Sequence, residues 1–168
     1  RVLIVSEAGA GKTYECKAQQ ERLFAQGESA FYLELASLAN STPEAQLKPA
    51  QRQRLESWRS AQNERAVFFL DSIDELRLTP HSFALTLRQF ANVLGDDLDR
   101  ACIVLTTRPG TDDRAIVENE LPLRQVVRVI EAEEAFADVA MRVELPKDAS
   151  AMPRSGGDYV FNGRALHP

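Results

Sequence analysis

The chain has 168 residues, 44% of them hydrophobic and 27% charged, with a net charge of −5. That suits one domain with a buried core, and eight Gly and eight Pro exclude a disordered or collagen-like chain. Apolar runs such as Ala66–Leu70 stop at five residues, far short of a membrane span, and two Cys with two His make neither a disulfide framework nor an ordinary zinc site.

Val2-Leu3-Ile4-Val5 opens the chain as an apolar, β-branched run, the signature of a strand buried on both faces. A helix is predicted from Lys12 to Gln26, with Gly27 as its C-terminal stop. Ala30–Leu35 reads as a second strand, and residues 36–49, with Pro43 and Pro49, as a loop holding at most a short helix. Gln51–Asn63 is then a polar helix anchored by Leu55 and Trp58, with Trp58 packed on the sheet. Ala66–Leu70 is the clearest strand and runs into Asp71. Pro80 and Ser82 open a helix with Phe83, Leu87, Phe90 and Leu94 on one face, and Gly95 closes it. Ala101–Leu105 is a fourth strand, Arg114–Glu120 a short helix and Val126–Ile130 a fifth strand. Beyond Glu144 the pattern dissolves, with Tyr159–Phe161 the one strand-like piece.

Apolar strands alternating with helices imply βαβ units, hence an α/β fold with a mostly parallel sheet between two helical layers. Cys16 and Cys102 fall inside a helix and a strand and read as packing residues, with no His nearby to make either a nucleophile.

Ser6-Glu7-Ala8-Gly9-Ala10-Gly11-Lys12-Thr13 lies between the first strand and the first helix. It is the G-x-x-x-x-G-K-[ST] phosphate-loop pattern with Ser6 in the first Gly position. Gly9 and Gly11 let backbone N–H groups turn inward around a phosphate, flanked by Ala8 and Ala10. The helix N-terminus adds unpaired donors and its dipole, Lys12 a point charge, and Thr13 a hydroxyl ligand for Mg²⁺. Tyr14 follows the loop, within reach of a nucleotide. Lys12-Thr13 thus marks a nucleotide, with Mg²⁺, as the expected cofactors.

Asp71 ends the third strand, where a carboxylate beside a phosphate loop serves as a direct or water-mediated Mg²⁺ ligand. Asp74 and Glu75 follow at a spacing that suits polarising the attacking water, and Glu75 is the favoured base. The fourth strand runs into Thr106-Thr107-Arg108-Pro109, placing Arg108 on the same rim of a parallel sheet, where it reaches toward a γ-phosphate.

Together these three segments resemble the NACHT group of the STAND class of P-loop ATPases. Ser6–Thr13 is similar to its Walker A, Leu70-Asp71-Ser72-Ile73-Asp74-Glu75 to its form of Walker B, and Thr106–Pro109 to its sensor 1 segment. The acidic pair two positions beyond the small residue is the discriminating piece. The resemblance implies a three-layer αβα P-loop NTPase core over residues 1–130, with the fourth strand between the first and third. Residues 131–168 are then a poorly patterned extension, cut before lid and winged-helix domains. It also implies a cytoplasmic switch that holds ADP, exchanges it for ATP on sensing a ligand, and forms homo-oligomers that activate an effector, with antiviral defence among the roles of bacterial relatives. A Mg-dependent ATPase activity is expected of the full-length protein.

Two alternatives stay open: a nucleotide-retaining oligomerisation module without turnover, or another P-loop class such as an AAA+ ATPase. Residues 66–168 carry eleven basic against seventeen acidic residues, so a DNA- or RNA-driven motor, which needs a basic face, is disfavoured.

Overall fold

The computed structural model describes residues 2–5, 11–71, 80–107, 113–121, 128–131, 141–142, 159–161 and 164–166. Its elements run β1 (Val2–Val5), α1 (Lys12–Ala25), β2 (Ser29–Glu34), α2 (Leu35–Leu38), α3 (Pro43–Gln46), α4 (Pro49–Ser60) and β3 (Ala66–Asp71). They continue with α5 (Pro80–Leu94), a 3-10 turn at Gly95–Arg100, β4 (Ala101–Thr107), α6 (Asp113–Glu120) and β5 (Arg128–Glu131).

These strands form one five-stranded sheet in the order β2-β3-β4-β1-β5, and every pairing in it is parallel. β4 therefore lies between β1 and β3, as the family resemblance implies. Further on, β6 (Met141–Arg142), β7 (Tyr159–Phe161) and β8 (Arg164–Leu166) pair antiparallel in a separate small sheet. The strand-like Tyr159–Phe161 is its middle strand.

The apolar runs are continuous because the main sheet is covered twice. Side chains alternate across a strand, so Val67 and Phe69 join Ile4, Cys16, Leu23, Ala30 and Val104 under α1. Ala66, Phe68 and Leu70 face the other way, into a larger core with Leu55, Trp58, Leu87, Phe90 and Val117 from α4, α5 and α6. Two helical layers around one sheet result. Phe68 is the hub of the larger core: its ring meets Phe31 at 5.2 Å, Trp58 at 5.6 Å and Phe90 at 5.4 Å between centroids. Edge and tilted contacts of this kind add about 0.5–1.5 kcal/mol each beyond area burial.

α1 ends as its sequence directs. Gly27, at φ 90°, donates to Phe24 O and Glu28 to Leu23 O, a paired stop that needs a left-handed residue at position 27. α4 departs from expectation. It starts at Pro49, two residues early, because Pro at a first helical position loses no hydrogen bond and presets φ, while the Gln51 side chain accepts from the Lys48 N–H. It also ends at Ser60, not Asn63, and Trp58 is fully buried on the sheet. The expected loop over 36–49 holds two single-turn helices, and the chain after Gly95 winds into the 3-10 turn. Cys16 is buried and Cys102 half-buried, both beneath the α1 layer.

Candidate functional site

Parallel pairing brings the C-terminal ends of the strands to one rim. β3 and β4 pair with Asp71 opposite Thr106, and β2 places Glu34 opposite Asp71 on the other side. Asp71 shares a strand face with Val67 and Phe69, so its carboxylate points to the α1 side of the sheet. α1 begins directly above it.

α1 opens at Gly11. Gly11 stands at the helix N-cap with φ 82° and ψ 9°, a left-handed conformation open to glycine and costly for other residues. Its carbonyl accepts the first helical bond, from Glu15 N–H at 3.0 Å. Lys12 follows as a buried residue in the first turn. Next to it the Thr13 hydroxyl donates to Oδ2 of Asp71 at 2.6 Å, joining residues 58 apart in the chain.

Asp71 itself is almost fully buried, at 1% exposure. A carboxylate out of water needs charge-assisted donors to offset its lost hydration. Three hydroxyls serve it. Thr106 donates to Oδ1 at 2.6 Å, while Thr13 and Tyr32, the latter at 2.9 Å, both donate to Oδ2. Burial and the adjacent Asp71 carboxylate raise the Tyr32 phenol well above its ordinary range, so it stays a proton donor. Cys16, one helical turn below Thr13, is likewise raised by burial and then by Asp71, which makes it an inert packing thiol.

The donor set fits a hard divalent cation. Hydroxyl and carboxylate oxygens are the ligands Mg²⁺ selects, and it keeps waters and phosphate oxygens for the remaining positions. A Thr hydroxyl carries one proton and two lone pairs. With the proton committed to Asp71, the lone pairs of Thr13 are left for a cation. Among the described residues no cluster of three or more His, Cys, Asp or Glu side chains could hold a metal ion.

Of the expected site residues, the structure unites Gly11, Lys12, Thr13 and Asp71 at one strand-to-helix junction. Tyr14 lies 78% exposed on α1 and is not among the groups that meet Asp71. Ala8, Gly9, Ala10, Asp74, Glu75 and Arg108 lie outside the described residues. Sequence reasoning missed Tyr32. In a period-2 pattern it reads as one more core aromatic, and only the β2–β3 register shows that it reaches Asp71.

The parallel sheet order, the left-handed glycine opening α1 and the Thr13–Asp71 bond make this an α/β core of the P-loop NTPase type. No family model matches the chain, and no curated protein matches it. Among solved structures it is similar to AMPPCP-bound DnaA from Aquifex aeolicus, with 20% sequence identity and a TM-score of 0.45 over 79% of this chain. The chain spans 39% of that structure's length. Among the described residues no helix is long and apolar enough to cross a membrane.

Proposed function

We propose that the chain is the ATP- and ADP-binding core of a STAND-type signalling ATPase of the NACHT group. The observation that carries the nucleotide reading is the Thr13–Asp71 hydrogen bond of 2.6 Å, which couples the start of the phosphate-loop helix to the end of the acidic strand. On this reading Gly11 and the α1 N-terminus take the phosphates, together with Ala8, Gly9 and Ala10, and Lys12 supplies the charge opposite them. Tyr14 lies beside the nucleotide. Thr13 ligates Mg²⁺ and Asp71 holds that hydroxyl. The cation neutralises developing phosphate charge when bound.

The NACHT assignment rests on the acidic pair Asp74-Glu75 placed after Asp71-Ser72-Ile73. Glu75 is the general base for the attacking water, with Asp74 beside it. Arg108, one residue beyond the end of β4, senses the γ-phosphate. The larger protein is then a cytoplasmic switch in which ligand sensing drives nucleotide exchange, homo-oligomerisation and effector activation, in antiviral defence. The same core suits a nucleotide-retaining module without turnover or an AAA+ ATPase. Steady-state phosphate release separates the first of these, and the effector and sensor domains of the full protein separate the second.

Fluorescent ATP and ADP binding to the wild type and to Lys12→Ala tests the central claim. Loss of binding in Lys12→Ala is expected; equal affinity in the two proteins refutes nucleotide binding at this loop.

A further inference from the structure

Tyr32 sits on β2, the edge strand, opposite Phe69 and two residues before the Glu34–Asp71 pair. Its side chain therefore lies on the same sheet face as Asp71, one diagonal step away, a span of about 7–8 Å between backbones that an aromatic ring can bridge. The ring packs against the core beneath α1, and Lys17 Nζ lies over it, 4.8 Å from its centroid. Lys17 in turn lies 3.9 Å from Glu34 Oε1. The phenol is thus held from above by an ammonium and from the side by the core, with its hydroxyl delivered to Asp71 Oδ2 at 2.9 Å.

Oδ2 is the oxygen that also accepts the Thr13 proton. A carboxylate oxygen has two lone-pair directions, and at Oδ2 one is used by Thr13 and the other by Tyr32. With Thr106 on Oδ1, the plane of the Asp71 carboxylate is set by donors from β2, β4 and α1 at once. Remove the phenolic proton and Oδ2 keeps a buried, unpaired acceptor direction. The carboxylate then turns to recover a partner, and Thr13 loses its fixed proton acceptor.

We infer that Tyr32 is a positioning residue that locks the Asp71 carboxylate, and through it the Thr13 hydroxyl, in the orientation that receives Mg²⁺ with the nucleotide. This rests on the nucleotide reading above. Tyr32 touches neither phosphate nor metal in this role, so nucleotide binding without metal does not depend on it.

The test is ATP affinity measured in EDTA and across a Mg²⁺ titration, for wild type, Tyr32→Phe and a protein carrying 4-fluorophenylalanine at position 32. The fluoro ring fills the tyrosine volume without the donor, so it carries the test if the phenylalanine variant folds poorly. The expected result is unchanged affinity in EDTA and a Mg²⁺ midpoint raised about tenfold, the scale of one charge-assisted hydrogen bond. A Mg²⁺ midpoint equal to wild type overturns the inference, and so does an equal loss of affinity with and without Mg²⁺. If the wild type binds no ATP under either condition, the nucleotide reading itself has failed, a result distinct from both.

Discussion

The guanidinium of Arg100 stacks on the indole of Trp58, 4.7 Å from its centroid, and donates to the carbonyl oxygens of Trp58, Ala61 and Glu64. Ala61 follows the last residue of α4 and Glu64 lies just before β3, so the 3-10 turn before β4 delivers a side chain that ties the end of α4 to the start of β3. The Trp58 carbonyl also accepts from the Ala61 N–H, and the Glu64 carbonyl from the Trp58 indole. Asp97 orients the same guanidinium.

Arg100→Ala is therefore expected to lower unfolding free energy by about 1–3 kcal/mol, because it takes a charged donor from the part-buried Trp58 and Ala61 carbonyls and removes a cation–π contact. Arg100→Lys should recover little, since a single ammonium cannot serve three acceptors in a plane. Urea unfolding of the three proteins measures both effects, and a midpoint unchanged in Arg100→Ala refutes the role.

Cys16 provides a pH-dependent test. Its thiol is raised by burial first and by Asp71 second. In the unfolded chain a thiol titrates near about 8.5. Below that pH both states hold the proton and stability is unaffected. Above it the unfolded chain releases a proton that the folded chain keeps, so stability falls as pH rises, with a limiting slope of about 1.4 kcal/mol per pH unit. In a Cys102→Ser background the remaining thiol should resist alkylation at pH 8 until denaturant is added, and Cys16→Ala should flatten the alkaline loss. Rapid alkylation of the folded protein contradicts the buried placement.

Gly11 and Gly27 open and close the same helix with positive φ, 82° and 90°. At neither would an added Cβ meet an atom within 4 Å. An alanine at either position thus costs backbone strain alone, about 1–2 kcal/mol. The two variants should lose similar stability. Only Gly11→Ala is expected to weaken ATP binding, by about tenfold if most of that strain shifts the first turn. Parallel thermal melts and binding curves compare them, and equal affinities would remove Gly11 from the site.

Much of this arrangement was legible in the residues because its cause is local. Ala66–Leu70 and Ala101–Leu105 read as buried strands since a sheet covered on both faces needs no polar alternation. Gly27 and Gly95 marked their helix ends because left-handed backbone favours glycine. The start of α4 was obscured by Pro49, a residue that ends helices everywhere except in their first turn. The hydrogen bonds that Tyr32 and Thr106 give Asp71 were hidden for a different reason, although Thr106 itself was expected on the same rim. Their roles depend on which strands are neighbours and in what register, and Asp71 meets both only because β3 lies between β2 and β4. Periodicity carries no such information.

Glu75 and Asp74 divide the hydrolytic reading. A carboxylate that polarises water contributes through its charge and basicity, typically about 10²–10⁴-fold in rate. Gln has the same shape without either property. Glu75→Gln is expected to bind ATP as the wild type does and to release phosphate at least about 100-fold more slowly. Asp74→Asn should retain most turnover, since Glu75 is the assigned base. Single-turnover hydrolysis of bound ATP in the full-length protein measures this directly, with Lys12→Ala as the binding-dead control. If Asp74→Asn stops turnover while Glu75→Gln does not, the base is Asp74. If neither affects a measurable wild-type rate, the acidic pair does not act on the water, and the feature that distinguishes the NACHT reading from other P-loop ATPases loses its chemical basis.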